Sequence, residues 1–255
     1  MRRRLVLCLS LCLGLCWGCG RIGFATPDGD GGADSASATD ARAGDATAEP
    51  IRFIQTHADI AVNANVLSTT FSADVTAGST IIVGIDFDHT GTEPVVSITD
   101  NAGRTYQALI GPVPTNSNTQ SQYLFSAHAA AAGPTTITAN LTQNSNQVFE
   151  FKAFEYGGIA MASPVDVTSS STGMKASAGE VDATPIVTTG TNEVVLALEV
   201  CDCVATGGPG MTVRSTFNKD VFQELLAPVP GSYVMKAVLE TGGQWRFVMA
   251  AFHGQ

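Results

Sequence analysis

Acidic side chains gather in DFDHTGTE, residues 86–93, which is the stretch best suited to bind a cation. Asp86 and Asp88 are two residues apart at the end of an apolar run. In a strand both carboxylates therefore lie on one face, roughly 7 Å apart. Carboxylate oxygens are hard ligands that favour calcium. Asp86, Asp88 and Glu93 are therefore the best candidates for a cation site, but a polar strand end that leads into a loop is the preferred interpretation, and no cofactor is expected.

The cysteine pair in CDC, Cys201 and Cys203, is the second chemical signal. In a regular strand the two Cβ atoms would lie about 7 Å apart, too far for a disulfide. A turn at Asp202 would close that gap, and an oxidising compartment would favour the bond. We predict a Cys201–Cys203 disulfide, with free thiols or a metal site as the alternatives.

Motifs that mark common enzyme classes do not occur in the sequence. It has no G-x-S-x-G, no H-E-x-x-H and no G-x-x-x-x-G-K-[ST]. A glycosidase needs two carboxylates about 5–9.5 Å apart. Glu150 and Glu155 are five residues apart and face opposite sides of a strand, whereas Glu193 and Glu199 share a face but lie roughly 20 Å apart. The sequence therefore favours a protein without catalytic activity.

The first residues are typical of an export signal. Arginines at positions 2–4 precede an apolar run at 5–15, and Gly18-Cys19 matches the end of a bacterial lipobox. We predict a lipoprotein-type signal peptide at 1–18 and acyl chains on Cys19, since several chains together anchor stably in a membrane. An ordinary secretory signal and an uncleaved anchor are the alternatives.

Residues 19–50 are predicted to be a disordered tether. Residues 26–50 consist mainly of Ala, Asp, Gly, Ser and Thr, which cannot bury enough apolar surface to fold. The whole chain has 13 Lys and Arg against 23 Asp and Glu, a net charge of −10. Nucleic acid is therefore excluded as a partner, because phosphate binding needs a basic patch. The predicted location is the envelope of a Gram-negative bacterium, either anchored in the outer membrane or extracellular.

Residues 51–255 are predicted to form a single all-β domain, an antiparallel two-sheet sandwich of jelly-roll or Ig-like type. Apolar residues alternate with a period of two in STIIVGIDFD, GSYVMKAVLE and QWRFVMAAF. The run EVVLALEVC is apolar on both faces and predicts a central strand. About 12–13 strands are expected, and two Ig-like domains split near residue 142 are the competing architecture. The predicted strands are 51–57, 66–72, 79–88, 95–100, 104–110, 119–127, 134–141, 147–157, 193–201, 211–218, 221–227, 232–240 and 243–253.

Two turns are predicted to be hairpins. TDNAGRTY at 99–106 and ETGGQW at 240–245 place turn-forming residues between β-rich runs.

Four segments of this region follow a familiar order: VSITDNAGRTYQAL, QYLFSAHAAAAGPTTITANL, FKAFEYGGIAMASPVDVTSS and GSYVMKAVLETGGQWRFVMAAF. This order resembles a β-sandwich module common in bacterial secreted and cell-surface proteins. The matching residues are turn and core residues, so the resemblance implies fold and location and carries over no catalytic residue. The predicted anchor and acidic tether similarly resemble surface lipoproteins of Gram-negative bacteria.

Two functions from different classes are consistent with the sequence. The first is a non-enzymatic surface lipoprotein whose sandwich binds a surface protein or a glycan, as an adhesion module does. The second is a secreted polysaccharide-degrading enzyme, or its glycan-binding accessory domain, which would use Asp86 or Asp88. A spacer without a ligand is a third reading.

Overall fold

The chain folds into antiparallel β-strands, as the sequence predicts. The computed structural model describes residues 49–115 and 119–255, which contain eighteen strands and one short 3₁₀ turn, Phe217–Lys219. This strand content confirms the all-β fold class. The predicted signal peptide, Cys19 and the tether up to residue 48 lie outside the described residues.

The strands are numbered in chain order, and several are shorter than the sequence suggests. They are β1 Arg52–Val62, β2 Val66–Thr70, β3 Thr80–Asp88, β4 Val96–Asp100, β5 Gln107–Pro114, β6 Gln120–His128, β7 Thr136–Leu141, β8 Val148–Gly157, β9 Val165–Lys175, β10 Gly179–Asp182, β11 Ile186–Thr188, β12 Glu193–Cys201, β13 Ala205–Gly207, β14 Thr212–Ser215, β15 Val221–Ala227, β16 Gly231–Tyr233, β17 Lys236–Leu239 and β18 Gly243–Phe252.

Two five-stranded sheets form the centre of the molecule. We call β1-β8-β3-β6-β5 inner sheet 1 and β14-β15-β12-β18-β9 inner sheet 2. Outer sheet 1 is β2-β7-β4, and the short sheets β10-β17-β13 and β11-β16 together form outer layer 2. The sheets follow the chain: every strand up to β8 lies in inner sheet 1 or outer sheet 1, and every later strand lies in the other sheets. The described residues belong to one compact unit.

Three apolar cores separate these layers. Core 1, with Phe87 and Phe149, lies between outer sheet 1 and inner sheet 1. Core 2, with Phe154 and Leu198, joins the two inner sheets. Core 3, with Phe247, lies between inner sheet 2 and outer layer 2. The inner sheets therefore bury both faces, which explains why β3, β8 and β12 are apolar almost throughout.

The inner sheets approach each other closely in core 2. Phe154 of β8 stacks on Phe222 of β15 with ring centroids 3.5 Å apart. A Cβ atom added at Gly84 would lie only 2.5 Å from Cδ2 of Leu198. A side chain at position 84 would therefore displace the facing sheet or Leu198 itself.

Both predicted hairpins are wrong, although the turns themselves form. The turn after Asp100 connects β4 to β5, but β4 pairs with β7 and β5 pairs with β6. The turn after Glu240 likewise connects β17 and β18, which belong to different sheets. Gly103 has φ +71°, and Oδ1 of Asp100 accepts hydrogen bonds from the backbone N–H groups of Ala102 and Arg104. Turn residues reverse the chain, but the apolar face that each strand must bury decides which sheet it joins.

Five additional strands raise the number above the predicted 12–13. Four of them, β9, β10, β11 and β13, were not predicted, and the predicted strand at 232–240 is interrupted to give β16 and β17. Strand β9, with the sequence VDVTSSSTGMK, is a half-exposed edge strand rich in Ser and Thr. It lacks the apolar alternation on which a sequence-based assignment depends.

Candidate functional site

A buried lysine surrounded by carboxylates lies at one end of the interface between the inner sheets. Nζ of Lys152 lies 3.1 Å from Oδ1 of Asp86 and 2.7 Å from Oδ2 of Asp220, and it also donates to Glu150. The side chain of Lys152 is 1 % exposed. Glu150 accepts a second hydrogen bond from the side chain of Asn218. We call Asp86, Glu150, Lys152 and Asp220 the ion cluster.

Strand register brings the ion cluster together. Asp86 of β3 lies opposite Glu150 of β8, and Lys152 follows two residues later on the same face of that strand. This face of β8 points towards core 2, because Phe154, the next residue on the same face, belongs to that core. Asp220 immediately precedes β15 of inner sheet 2 and accepts a hydrogen bond from Lys152 of inner sheet 1. The cluster therefore connects the two inner sheets through charged groups where the apolar packing of core 2 ends.

The environment perturbs the protonation of these groups. Burial and the nearby Asp86 carboxylate raise the pKa of Glu150 to about 9. Burial raises the pKa of Asp220 to about 6, against the opposing effect of the Lys152 ammonium. Burial alone would lower the pKa of Lys152, but the carboxylates of Asp86, Asp220 and Glu150 raise it well above its usual range. The environment thus favours a charged lysine and shifts Glu150 towards its protonated form.

The three carboxylates of the ion cluster, Asp86, Glu150 and Asp220, line an open pocket of about 310 Å³. Asp88 and the exposed Asp202 add acidic groups to its lining, and Lys219 adds an exposed basic group. The described residues that line it include no aromatic side chain: Asp86, Asp88, Gln120, Val148, Glu150, Val200, Cys201, Asp202, Cys203, Asn218, Lys219 and Asp220. We call this cavity the acidic pocket.

The acidic pocket lies at the end of the molecule opposite to the first described residue. Cys201, the last residue of β12, lines the pocket, whereas Glu193, the first residue of β12, lines a separate cavity together with Glu49 and Gln255. Eight residues separate these two positions, so the two ends are about 26 Å apart at ~3.3 Å per residue. The described part of the chain therefore starts far from the pocket.

The structure assembles part of the calcium site suggested by the sequence. Asp86 and Asp88 line the same pocket, and Oδ2 of Asp88 also accepts a hydrogen bond from the backbone N–H of Val148. Glu93 does not join them, since it accepts a 2.7 Å hydrogen bond from the hydroxyl of Tyr123. The ring of Tyr123 packs in core 1, on the opposite face of inner sheet 1. The ammonium group of Lys152 contacts the carboxylates of Asp86 and Asp220, so a positive charge is already present beside Asp86.

The two cysteines of CDC border the acidic pocket. In the structure Cys201 and Cys203 are joined by a disulfide, with their Cα atoms 5.1 Å apart. Cys201 is the last residue of β12, and the backbone N–H of Asp202 donates to the carbonyl oxygen of Gln244. The chain turns at Asp202, as the sequence argument for a disulfide requires.

Sequence reasoning missed Glu150, Lys152 and Asp220 as members of a site. The signal that could have identified two of them is the pattern FEFKAF at residues 149–154, where a glutamate and a lysine alternate with Phe in a strand that is otherwise apolar. Charged side chains on a strand face that is otherwise buried need hydrogen-bond or ion-pair partners. Asp220 lies 68 residues from Lys152 in sequence, and no local pattern connects them.

Glu155, a second buried carboxylate on β8, is held by other partners. Its Oε2 accepts a 2.6 Å hydrogen bond from the side chain of Gln55, and its Oε1 accepts one from the backbone N–H of Thr76. These contacts satisfy a fully buried acid and give it a structural role.

Glu199 differs because neither of its carboxylate oxygens has a hydrogen-bond partner. The residue is fully buried on β12 opposite Val221 and Phe247. Burial, followed by the charge of Asp220, raises the pKa of Glu199 to about 8. Glu199 is therefore mostly protonated at neutral pH.

No family model, no curated protein and no solved structure matches the chain. Within the residues that the structure describes, no helix has the length and apolar character needed to cross a membrane.

Proposed function

We propose that the chain is a non-enzymatic lipoprotein of a Gram-negative cell surface, and that its β-sandwich region is a binding or adhesion module. The anchor rests on the sequence of residues 1–19, and the resemblance to secreted β-sandwich modules supports the same location. The observation that carries the binding role is the acidic pocket. It concentrates carboxylates at the end of the molecule far from Glu49, the first described residue.

The chemistry of the pocket favours a protein partner over a glycan. Asp88 and Asp202 place negative charge at the rim, above buried acids that Lys152 only partly neutralises. A lysine or arginine side chain of a surface protein complements this charge. Sugar-binding faces commonly use exposed aromatic rings, and none of the described lining residues is aromatic.

Binding to peptide and glycan arrays tests this proposal. The full chain should bind peptides rich in Lys and Arg, and added salt should weaken that binding. Asp88→Asn combined with Asp202→Asn should weaken it at least tenfold. Glu49→Gln combined with Asp74→Asn removes the same charge from exposed positions outside the pocket and should leave binding unchanged. Binding confined to glycans, or equal loss in both double variants, would contradict the proposal.

A polysaccharide-degrading enzyme is the second candidate, because one specific feature favours it. Oxygen atoms of Asp86, Glu150 and Asp220 lie within 4.8 Å of one another, and burial raises the pKa of Glu150 to about 9. Glycoside hydrolysis uses a protonated acid and an ionised carboxylate about 5–9.5 Å apart, so the raised pKa suits the acid although the spacing here is below that range. Turnover of a polysaccharide that is abolished by Glu150→Gln would favour this candidate over the binding module.

A further inference from the structure

A separate cluster of two carboxylates and one imidazole lies at the other end of inner sheet 2. Asp166, Glu193 and His253 each offer one ligand atom, and these atoms lie within 4.8 Å of one another. Nδ1 of His253 is 2.5 Å from Oε1 of Glu193, and Nε2 of His253 is 4.0 Å from Oδ1 of Asp166. Neither the acidic pocket nor the proposed binding role involves these residues.

Three neighbouring strands position this cluster. Strand β18 lies between β12 and β9 in inner sheet 2, and Phe252 pairs with both Val194 and Val165. Glu193 is the first residue of β12, Asp166 is the second residue of β9, and His253 directly follows β18. The three side chains therefore come from adjacent strand ends, which are rigid positions for ligands.

Groups around the cluster orient its carboxylates. Asp166 accepts hydrogen bonds of 2.6 Å from both the backbone N–H and the hydroxyl of Thr189. The backbone N–H of Gly190 donates to Oε1 of Glu193 at 3.2 Å. A Cβ atom at Gly190 would collide with Glu193 and would lie 2.7 Å from Nδ1 of His253. The absence of a side chain at position 190 thus leaves the space that the cluster occupies.

One ligand atom of the cluster lacks a partner. Oε2 of Glu193 is buried without a hydrogen bond, and Glu193 as a whole is 1 % exposed. A buried carboxylate oxygen without a donor is costly unless a proton or a cation compensates it.

We propose that Asp166, Glu193 and His253 bind a divalent transition-metal ion, with Zn²⁺ as the best-matched ion. One imidazole nitrogen and two carboxylate oxygens are donors that suit Zn²⁺, and each would lie ~2.0–2.2 Å from the metal after small side-chain shifts. Three protein ligands leave a coordination position for water. The His253 side chain is 33 % exposed and gives the ion access from solvent. The hydrogen bonds from Thr189 and Gly190 would keep the carboxylates in place, as outer partners of metal ligands do.

Calorimetric titration of the full, chelator-treated chain with ZnCl₂ tests the proposal. We expect one Zn²⁺ to bind at this cluster, with affinity at least tenfold lower in His253→Ala. His57→Ala is the matched control, because Nε2 of His57 lies 3.5 Å from Asp59 but the pair has no third ligand within the described residues. This control should bind as the unmodified chain does. If the chain binds no Zn²⁺, or if His253→Ala binds as tightly as His57→Ala, the proposal is overturned.

A second variant and a second measurement keep the test decisive if His253→Ala does not fold. Glu193→Gln preserves the size of the side chain and should also weaken Zn²⁺ binding at least tenfold. Anomalous scattering from a crystal grown with ZnCl₂ should place the ion in contact with Asp166, Glu193 and His253. An ion found only elsewhere would overturn the proposal, whether or not the chain also binds peptides through its acidic pocket.

Discussion

Nζ of Lys152 lies 2.7 Å from Oδ2 of Asp220, and this buried ion pair joins the two inner sheets. Lys152 lies on β8 of inner sheet 1, and Asp220 directly precedes β15 of inner sheet 2, 68 residues later. The hydrogen bond from the Tyr156 hydroxyl to Glu224, at 2.8 Å, makes a second polar connection between the same sheets. Apolar packing in core 2 is not directional. These polar contacts therefore fix how the two inner sheets align.

Replacing Lys152 by Met should strongly destabilise the fold. The change removes the only cation in contact with the ion cluster among the described residues and leaves Asp86 and Asp220 buried without it. Breaking a buried ion pair from one side costs about 3–5 kcal/mol, which urea denaturation would measure. Lys236→Met is the control, because Lys236 also contacts two carboxylates but lies at the surface. Equal effects of the two substitutions would show that the ion cluster does not hold the sheets together.

Gly84→Ala should destabilise the protein because of the close approach to Leu198. The added methyl group would lie 2.5 Å from Cδ2 of Leu198, and such overpacking typically costs about 1–3 kcal/mol. Gly231→Ala is the control, since its new Cβ would lie 3.6 Å from the nearest atom, an ordinary contact. In a Leu198→Ala background the space is open, so Gly84→Ala should cost clearly less there. Additive effects in the double variant, measured by chemical denaturation, would argue against this close approach.

The stability of the protein should fall as the pH rises from about 4.5 to about 8, because of Glu199. Burial, followed by the charge of Asp220, raises its pKa from the usual 4.5 to about 8 in the folded state. In that window the folded state binds a proton that the unfolded state has lost, so the free energy of unfolding decreases by up to about 1.4 kcal/mol per pH unit. The Glu199 contribution is complete below pH 4.5 and is lost by the time the pH passes 8.

Glu199→Gln should remove this part of the pH dependence. The variant should be more stable than the parent at pH 9 and similar to it at pH 5, because the glutamine stays neutral throughout. Thermal unfolding at pH 5, 7 and 9 provides the measurement, with the exposed Glu240→Gln as the control. A variant whose pH profile runs parallel to that of the parent would contradict the assignment.

Reduction of the Cys201–Cys203 disulfide should lower stability only slightly. The bond closes a loop of three residues, so the loss of chain entropy in the unfolded state is small, about 1–2 kcal/mol. Urea denaturation with and without reductant measures this difference, and the Cys201→Ser/Cys203→Ser variant should not respond to reductant. A mass spectrum that shows two free thiols in the exported protein would rule out the bond.

The fold class could be predicted because the central strands carry a strong pattern. Strand β12 is apolar on both faces and lies in the middle of inner sheet 2, as its sequence suggests. Strand β9 was missed, since Ser and Thr dominate its half-exposed edge. The hairpins were wrong because the turn at Gly103 does not reveal which sheet the next strand joins.

The candidate site was only partly predictable for a related reason. Asp86 and Asp88 share a strand face, and the two-residue period of a strand is visible in the sequence. Their partners depend on packing: Lys152 is 66 residues from Asp86, and Asp220 directly precedes a strand of the other inner sheet. Glu93 is close to Asp86 in sequence, but its hydrogen bond to Tyr123 holds it on the other face of the sheet.

The proposed function depends most on the surface anchor, and acylation of Cys19 tests this anchor most directly. The full chain, expressed in a Gram-negative host with an alkyne-labelled fatty acid, should carry the label in the outer-membrane fraction. Its mature form should start at Cys19, and Cys19→Ala should abolish the label. A mature protein that retains Met1 and carries no acyl chain would contradict the proposed anchor.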